Sequence, residues 1–401
     1  MKIKYMAIGL LLSFSFVSYS QETHASYFGK GLFNLIGKDS TWSMRIGLRM
    51  QLLGIAAWDN DSEKGLINPE QNFLIRRSRL KFDGFAYSPK LKYKIELGLS
   101  NRDMSGTSEF TANAPRYILD AVIMWNFYQN FELWFGQTKL PGNIERVISS
   151  GNLQQVDRSL LNSRFNIDRD VGVQIHHYFY LTSKFLVREK FAFSQGEGRN
   201  VTNGNLGGHQ YTTRLELLPF GKFQGNDEYS GSDLRRQVKP KLMLSGTYDY
   251  NQNAVKTRSN LGAYMVNDDG FYETDIKTIF IDAMFKYSGI SVMAEFAHRS
   301  ADQPIASNSD GSPTGDAVLI GDAFNLQTGY LFLNNTEISA RLTRVQFDKN
   351  ITGVNQRNQY TIGLSKYIAG HKLKIQSDLS YLSVFDQNDQ LMYRLQIDMH
   401  F

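Results

Sequence analysis

Three features of the chain predict an all-β fold, a transmembrane antiparallel β-barrel of about sixteen strands. Apolar residues recur at every second position in segment after segment, the connections between segments alternate short and long, and the last segment ends on an aromatic residue. Composition agrees. The 401 residues include 27 Phe, 21 Tyr and 33 Gly but only 8 Pro and no Cys, a profile that favours strands and removes disulfide scaffolds, thiolate metal sites and cysteine nucleophiles. A mean hydropathy of −0.35 excludes a bundle of membrane helices, each of which needs about 20 consecutive apolar residues. With 42% hydrophobic and 21% charged residues the chain also buries too much surface to be disordered.

The chain begins with a secretory pattern. Lys2 and Lys4 form a basic start, Met6 to Val17 an apolar run too short to span, and Ser18-Tyr19-Ser20 a small-x-small cleavage site, so residues 1–20 read as a signal peptide removed after export. Residues 21–41 then form an N-terminal periplasmic segment, and 42–401 the barrel. Removal of the leader takes two positive charges from a formal net charge of +5, leaving a mildly basic mature chain.

The first strand, 42–58, places Trp42, Met44, Ile46, Leu48, Met50, Leu52, Gly54, Ala56 and Trp58 on one face and Ser43, Arg45, Gly47, Arg49 and Gln51 on the other. The strand 91–100 alternates in the same way, with Leu91, Tyr93, Ile95, Leu97 and Leu99 opposite Lys92, Lys94 and Glu96. The pattern recurs at 72–87, 116–127, 130–138, 171–180, 185–194, 210–218, 241–250, 274–287, 290–299, 323–333, 337–346, 359–367, 372–383 and 391–401, sixteen strands in all. Their lengths suit the roughly 9–11 residues a tilted strand needs to cross a bilayer. Connections after even-numbered strands are short, as at Ser288-Gly289 and Asn334-Asn335. Those after odd-numbered strands are long: 59–71, 101–115, 139–170, 195–209, 251–273, 300–322, 347–358 and 384–390. Tight periplasmic turns opposite larger external loops are what a membrane barrel shows. One connection, 219–240, is long on the short side and reads as a tolerated insertion.

The final strand carries Leu391, Tyr393, Leu395, Ile397, Met399 and Phe401 on one face. In a soluble protein it would be a sticky edge; in a closed barrel it pairs with the first strand and no edge is left. Sixteen strands enclose a lumen too wide for side chains to fill, so it holds water or an inserted segment. The lumen parity of the first three strands carries Arg45, Arg49, Arg77, Arg79, Lys81, Lys92 and Lys94, whereas Arg76 has the opposite parity and is expected near a rim. Such a ladder lowers the entry barrier for anions, and guanidinium forks match phosphate and carboxylate oxygens. The alternative is that these cations pair with acids across the lumen and keep it wetted.

Other chemistry is thin. Adjacent His176 and His177 face opposite sides of a strand and cannot chelate one metal. Asp59, Asp61, Glu63 and Glu70 have the spacing of a calcium loop, but Lys64 stands where Gly is expected, and a solvated acidic loop is the competing reading. The sequence carries no nucleophile elbow, no phosphate-cradling Gly motif and no compact basic face for nucleic acid, and it implies no cofactor.

Arg76-Arg77-Ser78-Arg79-Leu80-Lys81-Phe82-Asp83-Gly84, Phe135-Gly136-Gln137-Thr138-Lys139-Leu140-Pro141, Asp157-Arg158-Ser159 and Arg169-Asp170-Val171-Gly172-Val173 resemble the recurring motifs of the phosphate-selective porin O and P family, in the shorter form of the Bacteroidetes group. The resemblance implies a sixteen-stranded, usually trimeric, passive outer-membrane porin whose basic lumen residues bind anions. On matching positions, the eyelet and ladder roles fall to Arg77, Arg79, Arg158 and Arg169. As in general porins, the long third loop, 139–170, would fold into the barrel as a constriction bearing Lys139, Arg146, Arg158, Arg164 and Arg169. A terminal Phe401 likewise resembles the signal read by the barrel assembly machinery. Asp157, Asp168 and Asp170 depart from a purely basic loop, so a general anion bias is the narrower expectation. The expected partners are outer-membrane lipid and small anionic solutes. The alternatives are a lipase-like barrel, for which no Ser/His arrangement is found, and a non-conducting barrel acting as an adhesin or as an export or assembly component.

Overall fold

The computed structural model describes residues 27–61, 63–202 and 205–401; the expected leader, 1–20, lies outside them. Among the described residues sixteen strands form the wall: β1 (Trp42–Asp61), β2 (Gly65–Ala86), β3 (Ser88–Gly98), β4 (Ile118–Tyr128), β5 (Phe131–Lys139), β6 (Arg169–Tyr180), β7 (Leu186–Ser194), β8 (Gln210–Leu218), β9 (Lys241–Ala254), β10 (Thr274–Tyr287), β11 (Ile290–Ala301), β12 (Gly321–Leu331), β13 (Thr336–Phe347), β14 (Arg357–Tyr367), β15 (Leu373–Val384) and β16 (Asp389–His400). Each pairs antiparallel with the next, and β16 pairs with β1 from Arg49↔His400 to Asn60↔Asp389, so the sheet closes without an edge. Within 21–41, Phe33–Ile36 adds a short strand beside the start of β1, Phe33 opposite Ile46.

Alternation does what the sequence predicts. Outward residues such as Ile281, Phe296, Leu326, Ile338, Ile362, Leu379 and Leu395 are exposed and form a continuous apolar band, far larger than the exposed patches of soluble proteins. Tyr128, Tyr180, Tyr287 and Tyr330 mark the rim at the short turns, where amphipathic rings belong. At the turn Ser288-Gly289 both residues have positive φ, 49° and 91°, the backbone that a two-residue hairpin demands.

Two expectations change. The stretch 59–71 is not a long loop: β1 and β2 continue as a tall hairpin that turns between Asp61 and Gly65. Asp59 and Asp61 therefore belong to β1 and Glu70 to β2. Asp59 accepts a hydrogen bond from Asn68, and Asp61 caps the turn through the backbone N–H groups of Glu63 and Lys64. The carboxylates are spread along a ribbon, and among the described residues no three acidic or His groups converge on a metal position. Second, the β1–β2 register slips beside Gln51, where Arg77 pairs with Gln51 and Ile75 with Leu52. Arg76 is the extra residue of this bulge. It is 2% exposed and turned inward to Asp157, not placed at a rim.

The core lies inside the barrel. The connection from Leu140 to Asp168, with helices at Ile144–Val147 and Leu160–Phe165, folds into the lumen as expected of the third long loop. Its Leu140, Leu161, Phe165 and Ile167 pack against Ala192, Phe280, Ala297, Ala323, Val345 and Phe347 of the wall. Ile144, Ile148 and Leu153 pack with Leu186, Leu218, Met243, Met284, Met293 and Phe223, which belongs to the connection 219–240. That connection is therefore not a surface insertion. It enters the lumen from the short-turn end and meets the third loop, with Gly231 N–H donating to the Asn152 carbonyl at 2.7 Å.

Candidate functional site

The wall from β8 to β15 holds the third loop through polar side chains with fixed partners. Arg214, fully buried, spans Asp282 with two 2.8 Å hydrogen bonds, Glu216 at 2.8 Å and the Gly142 carbonyl at 2.9 Å. Glu295 accepts from Asn143 Nδ2 and from the Glu145 backbone N–H, both at 2.9 Å. Arg299 reaches the Phe165 carbonyl and Arg341 the Asp157 carbonyl, while Lys374 donates to Leu153 O at 2.8 Å. Lys286 does the same for the second insert. Its buried ammonium donates to Asp227 Oδ2 (2.8 Å) and to the carbonyls of Asp227, Ser230 and Ser232. Buried cations of this kind are tolerable because oxygens replace their water.

The opposite wall, from β2 to β7, faces an open cavity of about 980 Å³. Among the described residues, its lining carries fourteen Arg and Lys side chains against six Asp and Glu. Of the predicted ladder, Arg77, Arg79 and Lys94 line this cavity, whereas Arg45, Arg49, Lys81 and Lys92 do not; every member has an acidic partner. Arg45 pairs with Asp83, Arg49 bidentately with Asp398 (3.0 and 2.8 Å), and Arg77 with Asp157 at 3.7 Å. Arg79 pairs with Glu96 and Asp103, Lys81 with Asp83, Lys92 with Glu132, and Lys94 with Glu96 and Asp120. All seven have acidic partners, but mostly on their own or the adjacent strand, as at Arg45–Asp83 and Lys81–Asp83, not across the lumen as the alternative reading has it.

The loop cations divide differently. Lys139 donates to the carbonyls of Arg146, Val147 and Ile148, closing the end of the 144–147 helix. Arg146 pairs with Asp168, and Arg169 with Asp120 and Asp168. Arg158 lines the cavity and donates only to the Glu145 and Ile148 carbonyls, at 2.9 and 2.7 Å. Burial, with Arg146 beside it, lowers its pKa to about 9, so it remains a cation at neutral pH. Burial disfavours ionised Asp157, yet Arg76 and Arg77 outweigh it and hold that carboxyl well below the usual carboxylate range. Arg164 forms no ion pair among the described residues and does not line the cavity. Sequence reasoning missed Arg102, Arg199 and Arg258, cavity residues on the external connections with no ion pair among the described residues. Their one sequence signal is that they are basic residues in long loops. His176 and His177 diverge as expected: the His176 ring packs on Trp134 and the His177 ring on Phe131.

A closed sixteen-stranded barrel with a loop-narrowed basic lumen is a channel. The model of a family, phosphate-selective porin O and P, matches residues 47–315, about two thirds of the chain. The chain belongs to that family. It is an outer-membrane porin, a passive channel with a preference for anions, as its sequence leads one to expect. Solved structures share the fold at low identity. The anion-selective porin from Comamonas acidovorans is 12% identical at TM-score 0.54, covering 90% of this chain and 100% of that one. The outer membrane channel DcaP of Acinetobacter baumannii is 12% identical at TM-score 0.53, covering 91% and 99%. A loop-deleted OmpT of Vibrio cholerae is 10% identical at TM-score 0.53, covering 90% and 100%. No curated protein matches the porin by sequence.

Proposed function

We propose that this porin passes small oxyanions, phosphate foremost, along the open β2–β7 side of its lumen. The observation that carries the reading is the unbalanced charge of the cavity. Each ladder cation has a carboxylate beside it, whereas Arg102, Arg158, Arg199 and Arg258 face the path without a carboxylate partner among the described residues. A guanidinium with free N–H edges offers a phosphate oxygen charge and direction together. In this reading the predicted anion-binding ladder of Arg45, Arg49, Arg77, Arg79, Lys81, Lys92 and Lys94 sets the potential of the wall, and the unpaired arginines make the transient contacts. A passing anion meets several weak stations and no trap, as conduction requires. Export by a cleaved leader, handover to the assembly machinery through Phe401 and trimerisation belong to the same reading, on the strength of the family resemblance.

The test is the zero-current potential of the purified porin in a planar bilayer under a salt gradient. An anion-selective sign is expected, with reduced selectivity when Arg158 and Arg199 become Gln. A cation-selective sign would overturn the proposal.

A further inference from the structure

The periplasmic half of the cavity is built from different chemistry. Here the lumen face of β5 and β6 presents Trp134, His176 and Tyr178, all half-buried and all on the cavity wall, beside Arg188 and Lys190 of β7, whose charges are paired with Glu228 and Glu216. Trp134 and His176 have ring centroids 4.3 Å apart, and Trp134 Nε1 donates to Glu132 Oε2 at 3.0 Å, which fixes the indole. The inserted connection 219–240 supplies the other side: Lys222, exposed and without an ion pair among the described residues, holds its ammonium 4.9 Å from the Tyr178 ring centroid. Hydrated phosphate gains little from an indole or a phenol face. A wall of rings beside carboxylate and amide groups, with a free cation over it, suits a solute that has both a ring and a charge.

We propose that this vestibule is a second binding station, and that its ligand class is the phosphorylated monosaccharide. The C–H face of the sugar would lie on the Trp134–Tyr178 wall, its hydroxyls would meet Glu132 and neighbouring amides, and its phosphate would meet Lys222. The inference rests on the anion-channel reading and narrows its substrate.

The test uses the full-length porin in planar bilayers, with potassium chloride conductance titrated separately by glucose 6-phosphate, inorganic phosphate and glucose. Glucose 6-phosphate is expected to block at a concentration about tenfold below either of the others, since a ring contact and a charge contact add. Trp134→Ala and, as a milder change, Tyr178→Leu should each raise that blocking concentration several-fold while leaving inorganic phosphate block unaltered. Lys222→Gln should weaken glucose 6-phosphate block without changing the response to glucose. Equal block by glucose 6-phosphate and phosphate, or an equal shift of both in the ring variants, overturns the station. Equally strong, Trp134-dependent block by benzoate overturns the sugar assignment. Failure of the anion-channel reading looks different: a cation-selective reversal potential in the unmodified porin.

Discussion

The two sides of the lumen share the same alternation and have opposite fates. From β8 to β15, inward side chains such as Asp249, Asp282, Glu295, Thr343, Lys374 and Asp378 are essentially sealed, because two inserts lie against them. From β2 to β7 the inward residues, Lys94, Glu132, Trp134 and Arg188 among them, keep access to the cavity. Parity puts a side chain inside the barrel; what lies opposite decides whether it becomes glue or channel lining. Polar residues on the sealed side work as a protein interior does, most with a partner, Ser339 Oγ being an exception. On the open side water and solute complete the set.

The largest expected effects come from breaking the sealed side. Arg214→Leu leaves Asp282 buried without its cation, while Glu216 keeps Lys190 at 2.7 Å; a loss of about 3–5 kcal/mol is expected, to be read as a lower temperature for the heat-induced mobility shift on semi-native gels. Lys286→Met should free the 219–240 insert and raise single-channel conductance, because the periplasmic half of the path widens. Unchanged conductance would mean that the insert is held by its apolar contacts alone.

Next come charges on the open side. An unpaired cation a few Å from an ion's path is worth about 1 kcal/mol in water, roughly a fivefold weight on anion over cation entry. Arg158→Gln should therefore cut the permeability ratio several-fold with little effect on stability. By contrast, Lys81→Gln, whose ammonium shares Asp83 with Arg45 and lies 3.1 Å from it, should move it less. Equal effects would erase the distinction between paired ladder and unpaired arginines.

A smaller effect is expected from pH. Glu197, on the external connection between β7 and β8, has its pKa raised to about 7 by burial and then by Asp170. A carboxyl raised in the folded state contributes stability that is complete below its unfolded pKa of about 4.5 and lost as pH rises through 7. Anion preference should therefore increase modestly from pH 8 to pH 5.5 as a negative charge on the external side disappears, and Glu197→Gln should weaken the trend, leaving the share of the adjacent Lys256, whose pKa burial lowers to about 8. The smallest change of all belongs to the exposed pair Lys349–Asp386, 3.2 Å apart and more than half exposed on both sides. Its removal should leave the gel shift and conductance where they were, as isolated surface pairs do.

Much of this was legible in the chain. Period-two alternation located all sixteen strands, and the terminal Phe401 segment announced closure, because a lipid-facing wall imposes a strict pattern. What escaped were features set by distance in space. The Arg49–Asp398 pair joins residues at opposite ends of the chain, so a ladder counted on three strands looked unbalanced. The bulge at Arg76 shifts parity by one, which periodicity cannot register. The 219–240 insert looked like idle length because its apolar anchor, Phe223, and its polar ones, Asp227 and Ser232, find their partners on strands and a loop brought beside it only by the fold, Lys286 among them.

Arg49 joins three parts of the molecule: its own first strand, Asp398 on the last strand, and Ser150 at the tip of the third loop, which it reaches with two further hydrogen bonds of 2.6 and 3.0 Å. The loop tip also lies so close to the last strand that a Cβ at Gly151 would collide with the His400 ring. These two contacts of the tip depend on the closing seam, whereas Gly231 and Lys374 hold the neighbouring Asn152 and Leu153 carbonyls from other parts of the barrel. The pairing that closes the wall therefore also fixes one side of the constriction.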